Sequence, residues 1–312
     1  MQKMYKHLKI CVIGNGIHSK RIQKILSKKK LNFFIHKPKS KKNFKKESLN
    51  ALKKYNVFFI ISPNHTHFHY IKSLHKYGYI FCEKPPANNS IELNKLNKIN
   101  SKKIYFNFNF RFSKIAKILS NANKYNLGKL VHANIVSCKS IGFKKDYKFN
   151  PRSSIKTCPK GVLEMVAIHW IDLFYYLFNV TKVNKPCLLN LSEFGNSYDN
   201  SYITLEINKK FLAYIFCSYT APLINKKTFI YENGIVEQDE KFIKIKGPAL
   251  NYDSKKFLKP PNVIKKFNIS DKIDYSESLK KSVDYFFTKV VNKKIFSKKN
   301  NLKVLNINKL II

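Results

Sequence analysis

The chain has 312 residues, is 44% hydrophobic and carries a formal charge of +42, from 60 basic against 18 acidic residues. That length supports a sizeable core and two domains, and no run of about 18 apolar residues marks a membrane-spanning helix. The charge admits a nucleic-acid or membrane-surface reading. However, lysines fall in nearly every predicted element, without an RNP, zinc-finger or basic-zipper pattern, so neither nucleic acid nor membrane is the expected partner.

Abundant Lys, Asn, Ile, Phe and Tyr read instead as compositional drift. The diffuse positive field that results favours small anionic substrates, within the roughly 8 Å that salt screening allows. Cys11, Cys82, Cys138, Cys158, Cys187 and Cys217 are scattered without a CxxC pair, as buried reduced thiols would be. Met1 to Lys9 lead directly into a strand with no signal-peptide pattern, so a cytoplasmic protein is expected. Only Arg21, Arg111 and Arg152 are arginines. Where lysine serves wherever a surface cation suffices, these three are candidates for tasks that need a planar fork.

In chain order, Leu8–Ile13 reads as a strand, Gly14-Asn15-Gly16 as a turn and Ile17–Ser27 as a helix. Strand Leu31–Ile35, helix Glu47–Tyr55 and the apolar strand Val57–Ile61 follow, the last ended by Ser62-Pro63-Asn64. His65–Tyr77 is a helix stopped by Gly78, and Tyr79–Cys82 a strand. Helix Ile91–Asn100 and strand Ile104–Phe108 complete the alternation. This predicts an α/β, Rossmann-like doubly wound parallel sheet over residues 1–111.

The pattern changes near Phe112. A helix to about Lys124, a strand Leu130–Lys139 and a helix Gly161–Phe178 precede consecutive strands at Val183–Leu191, Ser201–Ile207, Phe211–Tyr219 and Thr228–Glu232. Asn233-Gly234 is a hairpin signal. Residues 112–290 are therefore predicted to form an α+β domain with a largely antiparallel open sheet. Within it Pro248–Asp274 reads as irregular and Ser276–Asn292 as a helix; residues 291–312 are expected to pack back on the first domain.

The turn after the first strand begins a dinucleotide fingerprint, with Gly14, Gly16, Ile17 and His18 as candidate cofactor contacts; its third glycine position is Ser19. The second strand ends in His36-Lys37-Pro38-Lys39 with no carboxylate for an adenosine ribose. Either NAD or NADP is open, with Lys37 giving a slight lean to NADP. Two further strand ends carry polar tips, where α/β sheets bind ligands: Ser62, Pro63, Asn64 and His67, then Glu83 and Lys84, the lysine followed by two prolines. His65 and His67 lack a cysteine or acidic cluster, so no metal is expected.

Gly14-Asn15-Gly16, Ser62-Pro63-Asn64-His65-Thr66-His67, Glu83-Lys84-Pro85, Asn109-Phe110-Arg111-Phe112 and Gly161-Val162-Leu163 through Ile168-His169-Trp170-Ile171-Asp172 resemble, in order, the glucose–fructose oxidoreductase / inositol dehydrogenase / MocA family (Gfo/Idh/MocA). The resemblance implies an NAD(P)-dependent oxidoreductase acting on a sugar or nucleotide sugar, in surface-polysaccharide biosynthesis on its narrowest reading, and a homo-oligomer, dimer or tetramer. It maps the family's lysine onto Lys84, where an ammonium stabilises a developing alkoxide, and its histidine onto His169, where an imidazole relays the hydroxyl proton. Arg111, Arg152 and Asp172 then fall on the substrate side, Asp172 also being placed to orient His169.

One departure stands out. Many family members carry an aspartate one helical turn before this histidine, and that position is Met165 here. On an α-helix the adjacent Glu164 points about 100° away. Two alternatives therefore stay open beside the enzyme: a catalytically idle, cofactor-binding regulatory subunit and a basic nucleic-acid-binding protein.

Overall fold

A computed structural model describes residues 5–39, 43, 48–248 and 252–312. It divides into two compact units, Met1–Phe108 with Leu279–Ile312, and Asn109–Ser278.

In the first unit the alternating pattern folds as β1 (Ile10–Ile13), α1 (Ile17–Lys28), β2 (Phe33–His36), β3 (Val57–Ile60), α2 (His67–Leu74), β4 (Tyr79–Glu83), α3 (Ser90–Asn97) and β5 (Ile104–Asn107). The strands are parallel in the order β2-β1-β3-β4-β5. The order in which strands are added reverses between β1 and β3, so the first turn and the Ser62 turn leave from neighbouring parallel strands. All four residues of β1, β3 and β5 are buried, which is why these strands read as unbroken apolar runs rather than alternating ones.

The helix expected at 47–55 is present only as a short 3₁₀ turn, Asn50–Leu52; residues 44–47 lie outside the described residues.

The second unit contains α4 (Lys114–Leu119), β6 (Leu130–Cys138), α5 (Ile168–Leu177), β7 (Val180–Val183), β8 (Cys187–Leu189), β9 (Asn200–Ile207), β10 (Phe211–Ser218), β11 (Ile224–Tyr231), β12 (Gly234–Gln238), β13 (Phe242–Lys246) and β14 (Val263–Asn268). Its nine-stranded sheet runs β14-β13-β12-β11-β6-β10-β9-β7, with β8 also on β9. The β6–β10 pair is parallel and the other pairs antiparallel. The stretch read as irregular holds β14 and the start of α6 (Asp271–Val291), whose first turn carries Asp271 and Asp274, as a helix N-terminus favours.

The sequence reading ended the second domain at 290, whereas α6 enters the first unit at Leu279 and α7 (Lys298–Asn308) lies wholly in it. The reason is an aromatic face on α6. The Phe286 ring lies 5.3 Å from Phe59, 5.5 Å from Phe81 and 5.8 Å from Phe296, and is fully buried. Phe286→Ala should therefore cost about 3–5 kcal/mol in denaturant unfolding; a loss under about 1 kcal/mol would show that α6 is not part of this core.

Candidate active site

The carboxyl edge of the first sheet gathers the polar tips. Gly14 follows β1 with φ +117°, a conformation glycine adopts freely, and its N–H donates to the His36 carbonyl at 2.9 Å. A Cβ here would lie 2.3 Å from the Ile61 carbonyl oxygen, so no larger residue fits between β1 and β3. Ser19, at the third glycine position, is buried and its hydroxyl donates to the Gly14 carbonyl at 2.8 Å. The serine thus closes the turn from inside the helix.

Gly16 begins α1 without a side-chain cap, and nothing lies within 4 Å of the place a Cβ would take. No side chain of the N-cap residue meets the helix's first N–H groups, and a helix start of this kind favours an anionic group. Ile17 beside them is 78% exposed. Lys37 is exposed beyond β2. The turn at Gly14 and the uncapped helix start together form a cradle open at Gly16.

The Ser62 turn is locked by its own side chains. Ser62 Oγ and Thr66 Oγ1 are 2.6 Å apart, and Thr66 Oγ1 donates to the Pro63 carbonyl at 2.8 Å. Pro63 is exposed and Asn64 half-buried at its tip. His67, fully buried, lies with Nε2 2.8 Å from the Ser62 carbonyl and Nδ1 2.8 Å from the Pro85 carbonyl. Burial pushes its pKa down, against the pull of those two carbonyls and of Glu83. With both nitrogens turned to carbonyls, His67 ties the Ser62 turn to the loop after β4.

Glu83 ends β4 as a buried carboxylate. Its Oε1 lies 2.7 Å from His18 Nε2 and accepts from Asn107 Nδ2 at 2.6 Å. Burial alone would raise its pKa; the His18 imidazole, the hydrogen bonds of His18 and Asn107, and the Lys84 ammonium outweigh it and hold the carboxyl below its ordinary value. Asn107 is itself fixed, accepting from Ser282 Oγ at 2.6 Å, and Ser282 Oγ lies 2.7 Å from Tyr105 Oη. Lys84 follows, only 8% exposed, before Pro85 and Pro86.

The second unit carries the other candidates. Arg111 donates from Nε to Asp172 Oδ2 at 2.8 Å and from its terminal nitrogen to Oδ1 at 2.5 Å, and stacks on Tyr176 at 5.1 Å. The Arg111 fork thus engages both Asp172 oxygens. Arg152 is half-buried, its guanidinium 6.0 Å from the Tyr219 ring centre. His169 is half-buried, with Phe110 stacked on it at 4.6 Å and 22°.

The helix before His169 is not α throughout. Leu163–Ala167 is a π turn, in which the Ile168 N–H reaches back to the Leu163 carbonyl. The extra residue rotates the preceding chain relative to α5. Glu164, five residues before His169 and 2% exposed, is thereby brought nearer the His169 face than a continuous α-helix would place it, beside Met165. The sequence reading set Glu164 aside on α-helical geometry. The signal available was an acid in an otherwise apolar run, one residue out of step.

Gly161 starts this segment at φ +52°, where a Cβ would overlap the Tyr198 carbonyl. Among the described residues no group of three His, Cys, Asp or Glu is placed to hold a metal, and no helix is long and apolar enough to cross a membrane.

Glu83 gives a pH signature. A carboxyl held below its ordinary value of 4.5 stabilises the fold above that value, and the stabilisation is lost as pH falls through the depressed folded value. Glu83→Gln should therefore unfold at lower denaturant than wild type at pH 7, with the gap closing as pH falls below about 4.5. A gap that stays constant with pH would contradict the ionised, neutralised state.

No family model and no curated protein matches the chain in sequence. Solved structures match it over nearly its whole length. A dehydrogenase (MviM) from Clostridium difficile is 18% identical with a TM-score of 0.73, over 98% of this chain and 98% of that one. A myo-inositol dehydrogenase from Corynebacterium glutamicum ATCC 13032 is 17% identical with a TM-score of 0.68, over 97% and 95%. Levoglucosan dehydrogenase, solved with NADH and levoglucosan, is 14% identical with a TM-score of 0.76, over 97% and 95%. These neighbours are Gfo/Idh/MocA-type dehydrogenases, and the chain has their two-domain fold.

Proposed function

We propose that the protein is a nicotinamide-dependent oxidoreductase that takes a hydride from a carbinol carbon, or delivers one to the corresponding keto carbon, of a sugar or nucleotide sugar. The observation that carries this reading is the cradle at Gly16, beside the strand ends that bear Glu83 and Lys84. The fold shared with NADH-binding levoglucosan dehydrogenase supports it. NAD and NADP both remain within the proposal. Bound there, the nicotinamide supplies the hydride acceptor or donor.

The chain's own residues do the rest. Gly14 and Gly16 let the backbone approach the pyrophosphate, and the uncapped α1 start donates N–H groups to it. Lys84, fixed between Glu83 and Pro85, holds its ammonium against the reacting oxygen and stabilises alkoxide charge. His169 takes the hydroxyl proton or returns it, and the buried Glu164, which the π turn rotates toward the His169 face, is proposed to orient the imidazole in place of the expected aspartate. Arg152 is proposed to meet an anionic group of the substrate, whereas Arg111 and Asp172 brace the helix that carries His169. On the open sheet, Leu212, Tyr214 and Tyr202 are 39%, 44% and 46% exposed, which supports the expected homo-oligomer.

The test titrates the protein with NADH and NADPH by nicotinamide fluorescence, then assays turnover on polyols, sugars and nucleotide sugars. At least one cofactor should bind. Lys84→Ala should lower kcat by about 100-fold or more while changing cofactor affinity by less than about threefold. Binding of neither cofactor would overturn the reading, and with salt-sensitive DNA retention would favour a basic nucleic-acid binder. Cofactor binding without turnover on any substrate would favour the idle subunit.

A further inference from the structure

The loop that carries Lys84 is poor in means of holding itself. Pro85 and Pro86 have no N–H, so from Lys84 to Ala87 only the two end residues can donate from the backbone. Its anchors come from elsewhere in the first unit. The Pro85 carbonyl faces His67 Nδ1 at 2.8 Å. Beyond the loop, the Asn88 N–H donates to the Glu92 carboxylate at 2.9 Å and Asn89 caps α3, so the chain is fixed again from residue 88.

Ala87, the last loop residue, is held from the far end of the chain. Asn308, the final residue of α7, accepts from the Ala87 N–H at 3.2 Å and donates from Nδ2 to the Ala87 carbonyl at 2.9 Å. Both residues are fully buried, so water does not compete for these bonds and losing them would strand two backbone groups. A primary amide can satisfy a donor and an acceptor of one residue together through two separate atoms; an ionised carboxylate or an alkyl group of this size cannot. Asn301, seven residues earlier on the same helix face, uses its amide differently, donating to the Ser101 and Ile104 carbonyls at 3.0 Å each. It anchors the entry to β5 rather than the lysine loop.

We propose that Asn308 is a positioning residue for Lys84: the C-terminal helix holds the lysine loop in its working geometry through the two bonds to Ala87. This rests on the reading of Lys84 as the group that meets the reacting oxygen. Misplacing such a group by about 1 Å can cost roughly 100-fold in rate. The C-terminal segment then acts on catalysis through the loop it holds.

The test compares Asn308→Leu, which removes both bonds at similar volume, with Asn301→Leu, which removes two bonds on the same helix face away from the loop. Asn308→Asp, which keeps the acceptor for Ala87 N–H and loses the donor, serves if the leucine variant does not fold. The first readout needs neither cofactor nor substrate. In protein carrying 13C-labelled lysine, the Lys84 Cε resonance, assigned by its absence in Lys84→Arg, is followed through its pH titration. Asn308→Leu should shift this resonance and its titration midpoint, Asn308→Asp should shift them less, and Asn301→Leu should leave them unchanged at a comparable loss of stability.

With an active substrate, Asn308→Leu should lower kcat by about 10- to 100-fold with cofactor affinity within about threefold. The proposal is overturned if the Asn308 variants leave the Lys84 resonance at its wild-type position, or if Asn301→Leu moves it as far. Wild type that binds no cofactor would sink the proposed function, while the resonance comparison would still judge the clamp.

Discussion

A carboxylate that ends a strand inside a protein has to be neutralised where it sits, and the first unit is arranged around that need. Glu83 Oε1 has an imidazole from α1 on one side and the Asn107 amide from β5 on the other. Asn107 is held in turn by Ser282 of α6. One buried charge therefore binds the opening helix, two strands and the C-terminal segment into a common edge. Lys84 is the next residue, and its placement follows from that network. A single unmet bond would be costly, because the low dielectric that strengthens each contact also penalises an unpaired group.

The second unit solves a different problem, that of aiming an imidazole from a helix. Gly161 admits the chain past the Tyr198 carbonyl, and the π turn then inserts an extra residue before α5. That insertion rotates Glu164 toward the His169 face. Arg111 and Asp172, side chains 8% and 0% exposed, lock the helix by a two-point ion pair. Removing one partner of such a pair leaves a buried charge, so its role is geometric fixation more than net stability.

Much of this was legible in the sequence because it is local. Apolar runs ended by Gly14, Ser62 and Glu83 gave the parallel strands and their shared edge, since strand period and turn chemistry act over a few residues. What depends on distant pairing was not legible. Arg111 looked like a fork for a ligand, because nothing nearby reveals a carboxylate 61 positions later. The Asn308–Ala87 pair spans 221 positions, and a buried asparagine in a helix resembles any other in a chain rich in asparagine. The π turn escaped for another reason: one residue of excess leaves the apolar pattern of a helix almost intact while rotating Glu164 toward the His169 face. Ser19, read as a gap in the glycine motif, proved to close the turn through its hydroxyl.

The central claim is that the open space at Gly16 is a dinucleotide cradle, and one substitution addresses it. Gly16 has φ −74°, and an added Cβ meets nothing within 4 Å, so a valine side chain there starts into open space. Its cost to folding should stay within about 1 kcal/mol, the scale of an altered helix cap. If a pyrophosphate lies against this backbone, Gly16→Val should lower NADH or NADPH affinity by about 100-fold or more, read by nicotinamide fluorescence on protein with near-wild-type unfolding. Wild-type cofactor affinity in that variant would contradict the account.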